Sequence, residues 1–225
     1  MANIKVMLSA AFKEAYLELV PPFERATGHT VENLWVPSVQ MMNRLQSGET
    51  VDLVILSAAA LADLRKAGIV SERADLAKSG IGVAVRAGAP RPDISSGAAL
   101  KRAVLAAKGI AYSTGPSGLY LIQLFESMGI AEQIKSMVKQ VQGVPAGSVV
   151  ARGEAELAFQ QVSELLPVPG IDLVGPLPPD VQEITIFSAG LHAKAPHPDA
   201  AQALVKHLTS PAAAPVIRKK GMEPV

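Results

Sequence analysis

The sequence predicts an α/β protein with two lobes. Short apolar runs rich in β-branched residues alternate with longer amphipathic segments, which is the pattern of parallel strands joined through helices. A segment dense in proline and glycine interrupts the alternation after Arg86, and the alternation then restarts. No internal repeat occurs with the period of about 20–50 residues that marks solenoids. These observations favour two α/β lobes and exclude a repeat array.

The first lobe begins with three pairs of a strand and a helix. Ile4–Leu8 is a short apolar run, and Ala11–Thr27 after it carries apolar residues at helical spacing. Gly28 follows as a residue that can adopt the left-handed conformation closing a helix. The next predicted elements are strand Thr30–Val36, helix Val39–Gln46, strand Val51–Leu56 and helix Ala58–Ala67.

The second lobe continues the alternation, and the chain then returns to the first lobe. We expect residues 1–79 plus 187–225 to form lobe 1 and residues 85–184 to form lobe 2, with hinge strands near 81–86 and 184–190. The predicted elements are strand Gly80–Arg86, helix Ala98–Ala107, strand Gly109–Ser113, helices Ser117–Met128 and Ala131–Met137, strand Val138–Gln142, helix Ser148–Arg152, strand Ala155–Phe159, a helical turn Gln160–Leu165, strands Ile171–Val174 and Glu183–His192, and helices Pro198–Leu208 and Pro211–Lys219.

The composition excludes several classes of function. The 225 residues include 21 Lys and Arg against 20 Asp and Glu, a net charge of +1, with one Trp, three Tyr and five Phe. Nucleic acid is therefore not an expected partner, because binding it needs positive charge and stacking surface. The lack of cysteine removes disulfides, thiolate metal sites and cysteine nucleophiles. No apolar run of about 18 residues is present, so we expect no membrane insertion.

Signals for targeting, cofactors and metals are also missing. The amino terminus shows no secretory leader, which predicts a periplasmic protein if Met1 replaces a removed leader and a cytoplasmic one if Met1 is native. There is no GxGxxG, P-loop, HExxH or GxSxG motif, and no cofactor is expected. The histidines, which are His29, His192, His197 and His207, lack the spacing of metal ligands.

Small hydroxyl residues recur where predicted strands end and helices begin. Ser9-Ala10-Ala11 follows the first strand, Ser38 the second and Ser57 the third, while Ser117 and Ser148 begin helices in the second lobe. In open α/β sheets ligands bind beyond the carboxyl ends of the strands, and helix N-termini offer unpaired N–H groups to anions. Any one of these residues fits a simple helix cap. The repetition in both lobes indicates an anion site.

Two blocks give the chain a specific resemblance. QSGETVDLVILSA, which begins at Gln46, and PSGLYLIQLFESMGI, which begins at Pro116, resemble the molybdate-binding family of type 2 periplasmic solute-binding proteins. The resemblance extends along nearly the whole chain to SPAAAPVIRKKGMEP. It implies a two-lobed periplasmic-binding-protein type 2 fold with a two-strand hinge, and an ABC permease as a partner.

The resemblance also implies a set of ligand-binding residues. Ala11 stands where the family has a serine, and Gln160-Gln161 stands where molybdate binders carry a tyrosine. Because an amide offers both donors and acceptors, we expect ligand choice to lie in these glutamines and to favour a carboxylate over molybdate. The implied residues are Ser9, Ala10, Ala11, Ser38, Ser117, Gly118, Tyr120, Ser148, Val149, Gln160 and Gln161.

The sequence leaves more than one function open. The first is a solute-binding protein that clamps a small anion, an oxyanion or a di- or tricarboxylate, between its lobes. The second is an isomerase acting on a small polycarboxylate such as aconitate, because such isomerases resemble the same family. It would need a base that takes a proton next to a carboxylate, and the candidates are His192, Glu164 and Lys13. Arg86 and Arg152 are candidates to pair with a carboxylate. A third function, a ligand-sensing module of a regulator, has no DNA-binding element to support it.

Overall fold

Two units of the chain each contain their own sheet and core. The computed structural model describes all residues from Met1 to Val225. Unit 1 comprises Met1–Ser79 and Thr185–Val225, and unit 2 comprises Gly80–Ile184. No helix has the length and apolar character needed to cross a membrane.

Strands and helices alternate along most of the chain. The strands are β1 (Asn3–Leu8), β2 (Thr30–Trp35), β3 (Leu53–Ser57), β4 (Val70–Arg86), β5 (Ile110–Ser113), β6 (Val138–Val141), β7 (Leu157–Gln161), β8 (Ile171–Pro176), β9 (Ile184–His192) and β10 (Glu223–Pro224). The helices are α1 (Lys13–Thr27), α2 (Ser38–Gln46), α3 (Ala58–Lys66), α4 (Gly97–Ala106), α5 (Pro116–Ser127), α6 (Ala131–Ile134), α7 (Ala146–Ala151), α8 (Val162–Leu165), α9 (Pro198–Leu208) and α10 (Ala214–Lys219).

The sheet of unit 1 brings three strand ends to one edge. β1 pairs in parallel with β2 on one side and with β3 on the other, and β9 pairs antiparallel with β3. Leu8, the last residue of β1, is level with Trp35 of β2 and Ile55 of β3. The residues that follow these three strands therefore lie along the same edge. Phe12 and Tyr16 beneath this edge are fully buried in the core.

The sheet of unit 2 repeats this arrangement. β5 pairs in parallel with β6 and β7, while β4 pairs antiparallel with β7 and with β8. Tyr112 of β5 is level with Phe159 of β7, so α5 and α8 both begin at the carboxyl edge of this sheet. Phe125 of α5 packs edge-on against Phe159, with ring centroids 6.0 Å apart. This contact fixes α5 over the β7 strand.

Among the predicted boundaries that the structure changes are the start of β4, the end of β7 and the start of α7. β4 begins at Val70 instead of Gly80, because the polar residues of its first half have partners: Arg73 pairs with Asp75, and the Ser188 hydroxyl of β9 donates to Asp75 at 2.7 Å. β7 runs on through Gln161, so the helical turn begins two residues later than predicted. α7 begins at Ala146, which places Ser148 inside the helix and not at its start.

Candidate functional site

Ser9 carries a buried hydroxyl at the carboxyl edge of unit 1. Its backbone N–H donates to the Ile55 carbonyl at 3.2 Å, which holds the residue against the end of β3. Its side chain is 6% exposed, and its hydroxyl has no hydrogen-bond partner in the protein. A buried polar group left unpaired costs about 1–3 kcal/mol, so this position suits a ligand contact. Ala10 beside it is exposed and Ala11 is buried.

Of the other two serines at this edge, Ser57 forms a hydrogen bond that caps a helix and Ser38 does not. Ser57 accepts the N–H of Ala60 at 3.4 Å and thereby caps α3, which is a structural role. Ser38 is the first residue of α2, is partly exposed, and makes no capping bond with its side chain. Of the hydroxyl residues that follow strands in unit 1, Ser9 and Ser38 are therefore the ones available to an anion.

Ser117 carries the corresponding hydroxyl in unit 2. It is the second residue of the twelve-residue helix α5, where the N–H groups of the first turn lack intrahelical acceptors. The side chain is 1% exposed, and its hydroxyl has no hydrogen-bond partner in the protein. The positive end of the helix dipole and an unengaged donor thus coincide, which is the arrangement of an anion site.

Gly118 is required by the packing of its own unit. A Cβ at this position would fall on the carbonyl oxygen of Ser113 and lie 3.3 Å from the Tyr112 ring. The resemblance places Gly118 among the ligand-binding residues. The structure shows that the fold also requires a glycine here, because the start of α5 lies directly over the end of β5, with no room for a side chain.

The Tyr120 hydroxyl is engaged within unit 2. It donates to the carbonyl of Val181 at 2.9 Å, and burial together with the nearby Glu183 raises the pKa of the phenol. This bond ties α5 to the segment that precedes β9. The resemblance places Tyr120 among the ligand contacts, whereas the structure gives its hydroxyl a protein acceptor.

Replacing Tyr120 with phenylalanine is expected to lower the free energy of unfolding by about 1 kcal/mol, the usual net contribution of one hydrogen bond. Chemical denaturation measures the change, and Tyr112→Phe is the matched control, because the Tyr112 hydroxyl makes no hydrogen bond to the protein. Equal stability of the two variants would show that the bond to Val181 contributes nothing to stability.

Gln160 links the start of α7 to Glu164. Its carbonyl oxygen accepts the N–H of Ala146 at 2.8 Å, and its amide nitrogen donates to Glu164 Oε1 at 2.8 Å. Both ends of this buried amide are therefore engaged inside unit 2. Gln161, also fully buried, takes the position just before α8, and its backbone N–H donates to the Glu164 carboxyl.

Glu164 has no cationic partner. Burial raises the pKa of its carboxyl to about 7, against the smaller lowering effect of the hydrogen bonds from Gln160 and the Gln161 backbone. The carboxyl is therefore shared between its protonated and ionised forms near neutral pH. A group of this kind at a strand end is a candidate for proton transfer.

Ser163 is a residue that sequence reasoning missed. It is 2% exposed, and its hydroxyl has no hydrogen-bond partner in the protein. It is the second residue of α8, two residues after the end of β7, whereas the prediction placed it in the middle of a helical turn that began at Gln160. The predicted Ser148 is different, since its hydroxyl donates to the Pro145 carbonyl at 2.7 Å, and Val149 beside it is buried.

Other chemical candidates lie away from these hydroxyls. His192 is beside the amino end of β3, because β9 runs antiparallel and pairs Leu191 with Leu53. Its Nδ1 accepts the Lys194 N–H at 3.0 Å, and burial lowers the pKa of the ring. The end of β9 at which it lies is therefore the edge of unit 1 opposite to Ser9.

The two arginines are likewise separate from the hydroxyls. Arg86 lies beyond the amino end of β7, since β4 pairs Ile81 with Gln161 and Ala84 with Ala158. Arg152 forms an ion pair with Glu154 on the surface. Neither arginine is at the carboxyl edge of unit 2, so the structure does not bring them to the hydroxyls.

Comparison with known proteins finds similarity to bacterial solute-binding proteins and to an aconitate isomerase. A family model described as bacterial extracellular solute-binding protein matches residues 4–223. The chain is 39% identical over 231 residues to the aconitate isomerase of a Pseudomonas species, covering 99% of this chain and 88% of that protein. It is 28% identical to the molybdate-binding protein ModA of Azotobacter vinelandii, covering 98% and 89%.

Solved structures confirm the predicted fold. The periplasmic molybdate-binding protein of Azotobacter vinelandii matches with a TM-score of 0.81 at 19% identity, covering 98% of each chain. The sulfate-binding protein SubI of Mycobacterium tuberculosis matches with a TM-score of 0.80 at 17% identity, covering 100% of this chain and 88% of that one. The α/β periplasmic-binding-protein fold is therefore shared with proteins of different ligands.

Proposed function

The chain belongs to the bacterial extracellular solute-binding protein family, and from this premise we propose that it binds a small polycarboxylate. One observation carries the proposal: buried hydroxyls without a protein partner recur within four residues of the carboxyl ends of parallel strands. They belong to Ser9 in unit 1 and to Ser117 and Ser163 in unit 2. Neutral donors of this kind bind an anion without a permanent countercharge.

The surroundings of Glu164 suit a carboxylate ligand. A carboxyl with a pKa near 7 can hold a proton and donate it in a hydrogen bond to a ligand carboxylate. The greater similarity to aconitate isomerase than to ModA, 39% against 28%, points the same way. We therefore name unsaturated tricarboxylates of the aconitate class as the ligand.

Isomerisation of that ligand is the second candidate function. The observation in its favour is the 39% identity to aconitate isomerase along 99% of the chain. The non-catalytic alternative is a binding protein that serves an ABC permease, the partner that the family implies. In either case we propose that residues 1–79 plus 187–225 and residues 85–184 act as lobes, with β4 and β9 as the hinge strands, because these strands pass from one unit into the other.

Removal of a buried hydroxyl is expected to weaken trans-aconitate binding. Ser117→Ala and Ser163→Ala each delete one donor to an anion, a loss of about 1–2 kcal/mol or roughly five- to thirty-fold in affinity. Ser127→Ala is the control, since this hydroxyl at the other end of α5 donates to the Leu124 carbonyl. Calorimetric titration with trans-aconitate, tricarballylate and molybdate gives the affinities.

The outcomes separate the ligand classes. Binding of both tricarboxylates by the wild type, weakened in the two serine variants and unchanged in the control, supports the proposal. Binding of molybdate alone would replace the carboxylate with a tetrahedral oxyanion. Serine variants that bind as tightly as the wild type would remove these hydroxyls from the site.

A further inference from the structure

We infer that the Glu164 carboxylate is the base that takes and returns the proton in the isomerisation of an aconitate-class substrate. This inference rests on the proposed function and assigns a catalytic role within it. It depends on where Glu164 lies, on what holds it in place and on the absence of charge around it.

Glu164 lies at the same edge of unit 2 as the unpartnered hydroxyls. β5 and β7 are neighbouring parallel strands, and their carboxyl ends lead into α5 with Ser117 and into α8 with Ser163 and Glu164. Glu164 is partly exposed, in contrast to the fully buried Gln161. The proposed site therefore includes both the serine hydroxyls and this carboxyl.

Two hydrogen bonds orient the Glu164 carboxyl. Gln160 donates to its Oε1 at 2.8 Å and is itself fixed by the Ala146 N–H, also at 2.8 Å. The Gln161 backbone N–H supplies the second bond. A base oriented in this way by the strand that precedes it needs little rearrangement to act.

No charged group faces Glu164 from the elements around it. β7, which packs against α8, has no ionisable residue between Leu157 and Gln161, and neither has α7 between Ala146 and Ala151. In β8, Asp172 accepts the Gly88 N–H at 3.0 Å. Burial alone therefore raises the pKa of Glu164 to about 7, where a general base works most efficiently at neutral pH.

The other two candidate bases lack such a setting. His192 lies at the opposite edge of unit 1, with Nδ1 occupied by the Lys194 N–H. Lys13 is exposed, and its ammonium lies 5.5 Å from the Trp35 ring centroid with no hydrogen bond to orient it. Of the three candidate bases, Glu164 is thus the one whose carboxyl is oriented by hydrogen bonds and which lies at the same sheet edge as the hydroxyls of Ser117 and Ser163.

The proposed step balances without a co-reactant. The Glu164 carboxylate removes one proton from the substrate methylene that adjoins a carboxylate. The C–H electron pair moves into the conjugated system and forms an extended enolate, whose charge the serine hydroxyls can stabilise. The Glu164 carboxylic acid then returns the proton to the former vinylic carbon. The double bond moves by one carbon, which allows its geometry to change.

The test uses the whole chain with cis-aconitate as substrate and tricarballylate as a ligand without a double bond. Proton NMR in D₂O follows both the appearance of trans-aconitate and the uptake of deuterium. Glu164→Gln is expected to lower kcat by about 10²–10⁴-fold, the usual contribution of a general base. Its tricarballylate affinity should be equal to the wild type or higher, because a neutral amide does not repel the ligand. Glu126→Gln, an exposed glutamate of the same unit, should behave as the wild type.

A second variant tests the role even if Glu164→Gln folds poorly. Gln160→Met removes the side-chain hydrogen bond that lowers the pKa of Glu164, so the rising limb of kcat/KM against pH should move to higher pH. Two results would contradict the role of Glu164 without contradicting isomerisation. One is a Gln160→Met variant whose kcat/KM rises at the same pH as that of the wild type, and the other is a Glu164→Gln variant with wild-type turnover and deuterium uptake. A wild type that binds tricarballylate without turnover would overturn isomerisation itself.

Discussion

Replacing Gly118 with alanine is expected to lower the free energy of unfolding by about 3 kcal/mol, at the upper end of the usual range for overpacking. The added Cβ would fall on the backbone carbonyl oxygen of Ser113, which cannot move aside as a flexible side chain could. α5 would have to lift from the end of β5 and would lose its contacts to Phe159. For a chain of this length we expect a fall in Tm of about 6 °C or more.

Gly115→Ala is the matched control for this prediction. Gly115 precedes α5 in the same loop, has a φ of −78°, and a Cβ there would meet only the Ser113 hydroxyl at 3.4 Å. Differential scanning calorimetry measures the Tm of both variants. We expect a large fall for Gly118→Ala, whose Cβ overlaps the backbone, and little change for Gly115→Ala, whose Cβ makes an ordinary contact. A similar Tm for both would mean that α5 shifts freely and that the overlap with Ser113 does not account for the glycine at position 118.

Much of the fold could be predicted from residue patterns. Apolar runs such as Ile4–Leu8 and amphipathic segments such as Ala11–Thr27 predicted β1 and α1, because burial imposes a period on the sequence. The first half of β4 could not be found in this way. Its polar residues are satisfied by distant partners, as Asp75 is by Ser188, and no local pattern reports a contact between residues so far apart in the chain.

The sequence predicted the type of candidate site and two of its serines, but not all of its residues or their hydrogen bonds. The rule that hydroxyls follow strand ends led to Ser9 and Ser117, whose hydroxyls are buried and unpartnered. The same rule could have led to Ser163, but the end of β7 was placed two residues too early. The engagement of Tyr120 with Val181, and of Gln160 with Ala146, depends on how elements meet in three dimensions.

The stability of the protein is expected to fall as pH rises from about 4.5 to about 7, relative to a Glu164→Gln variant. Below pH about 4.5, Glu164 is protonated in both folded and unfolded chains. Between the ordinary pKa of 4.5 and the folded value of about 7, only the folded chain keeps the proton, so this contribution to stability is lost as pH rises through the folded pKa.

Because one pKa unit corresponds to about 1.4 kcal/mol, the change across this window is on the order of 3 kcal/mol. Unfolding of the wild type and of Glu164→Gln at pH 4, 6 and 8 measures it as a difference, in which the other titrating groups cancel. Since the glutamine cannot ionise, the Tm of the variant relative to the wild type should rise by about 6 °C or more between pH 4 and 8. The exposed Glu126→Gln control should show a constant difference from the wild type. A constant difference for Glu164→Gln as well would mean that the carboxyl ionises as freely in the folded chain as in the unfolded one, and that burial does not hold its proton.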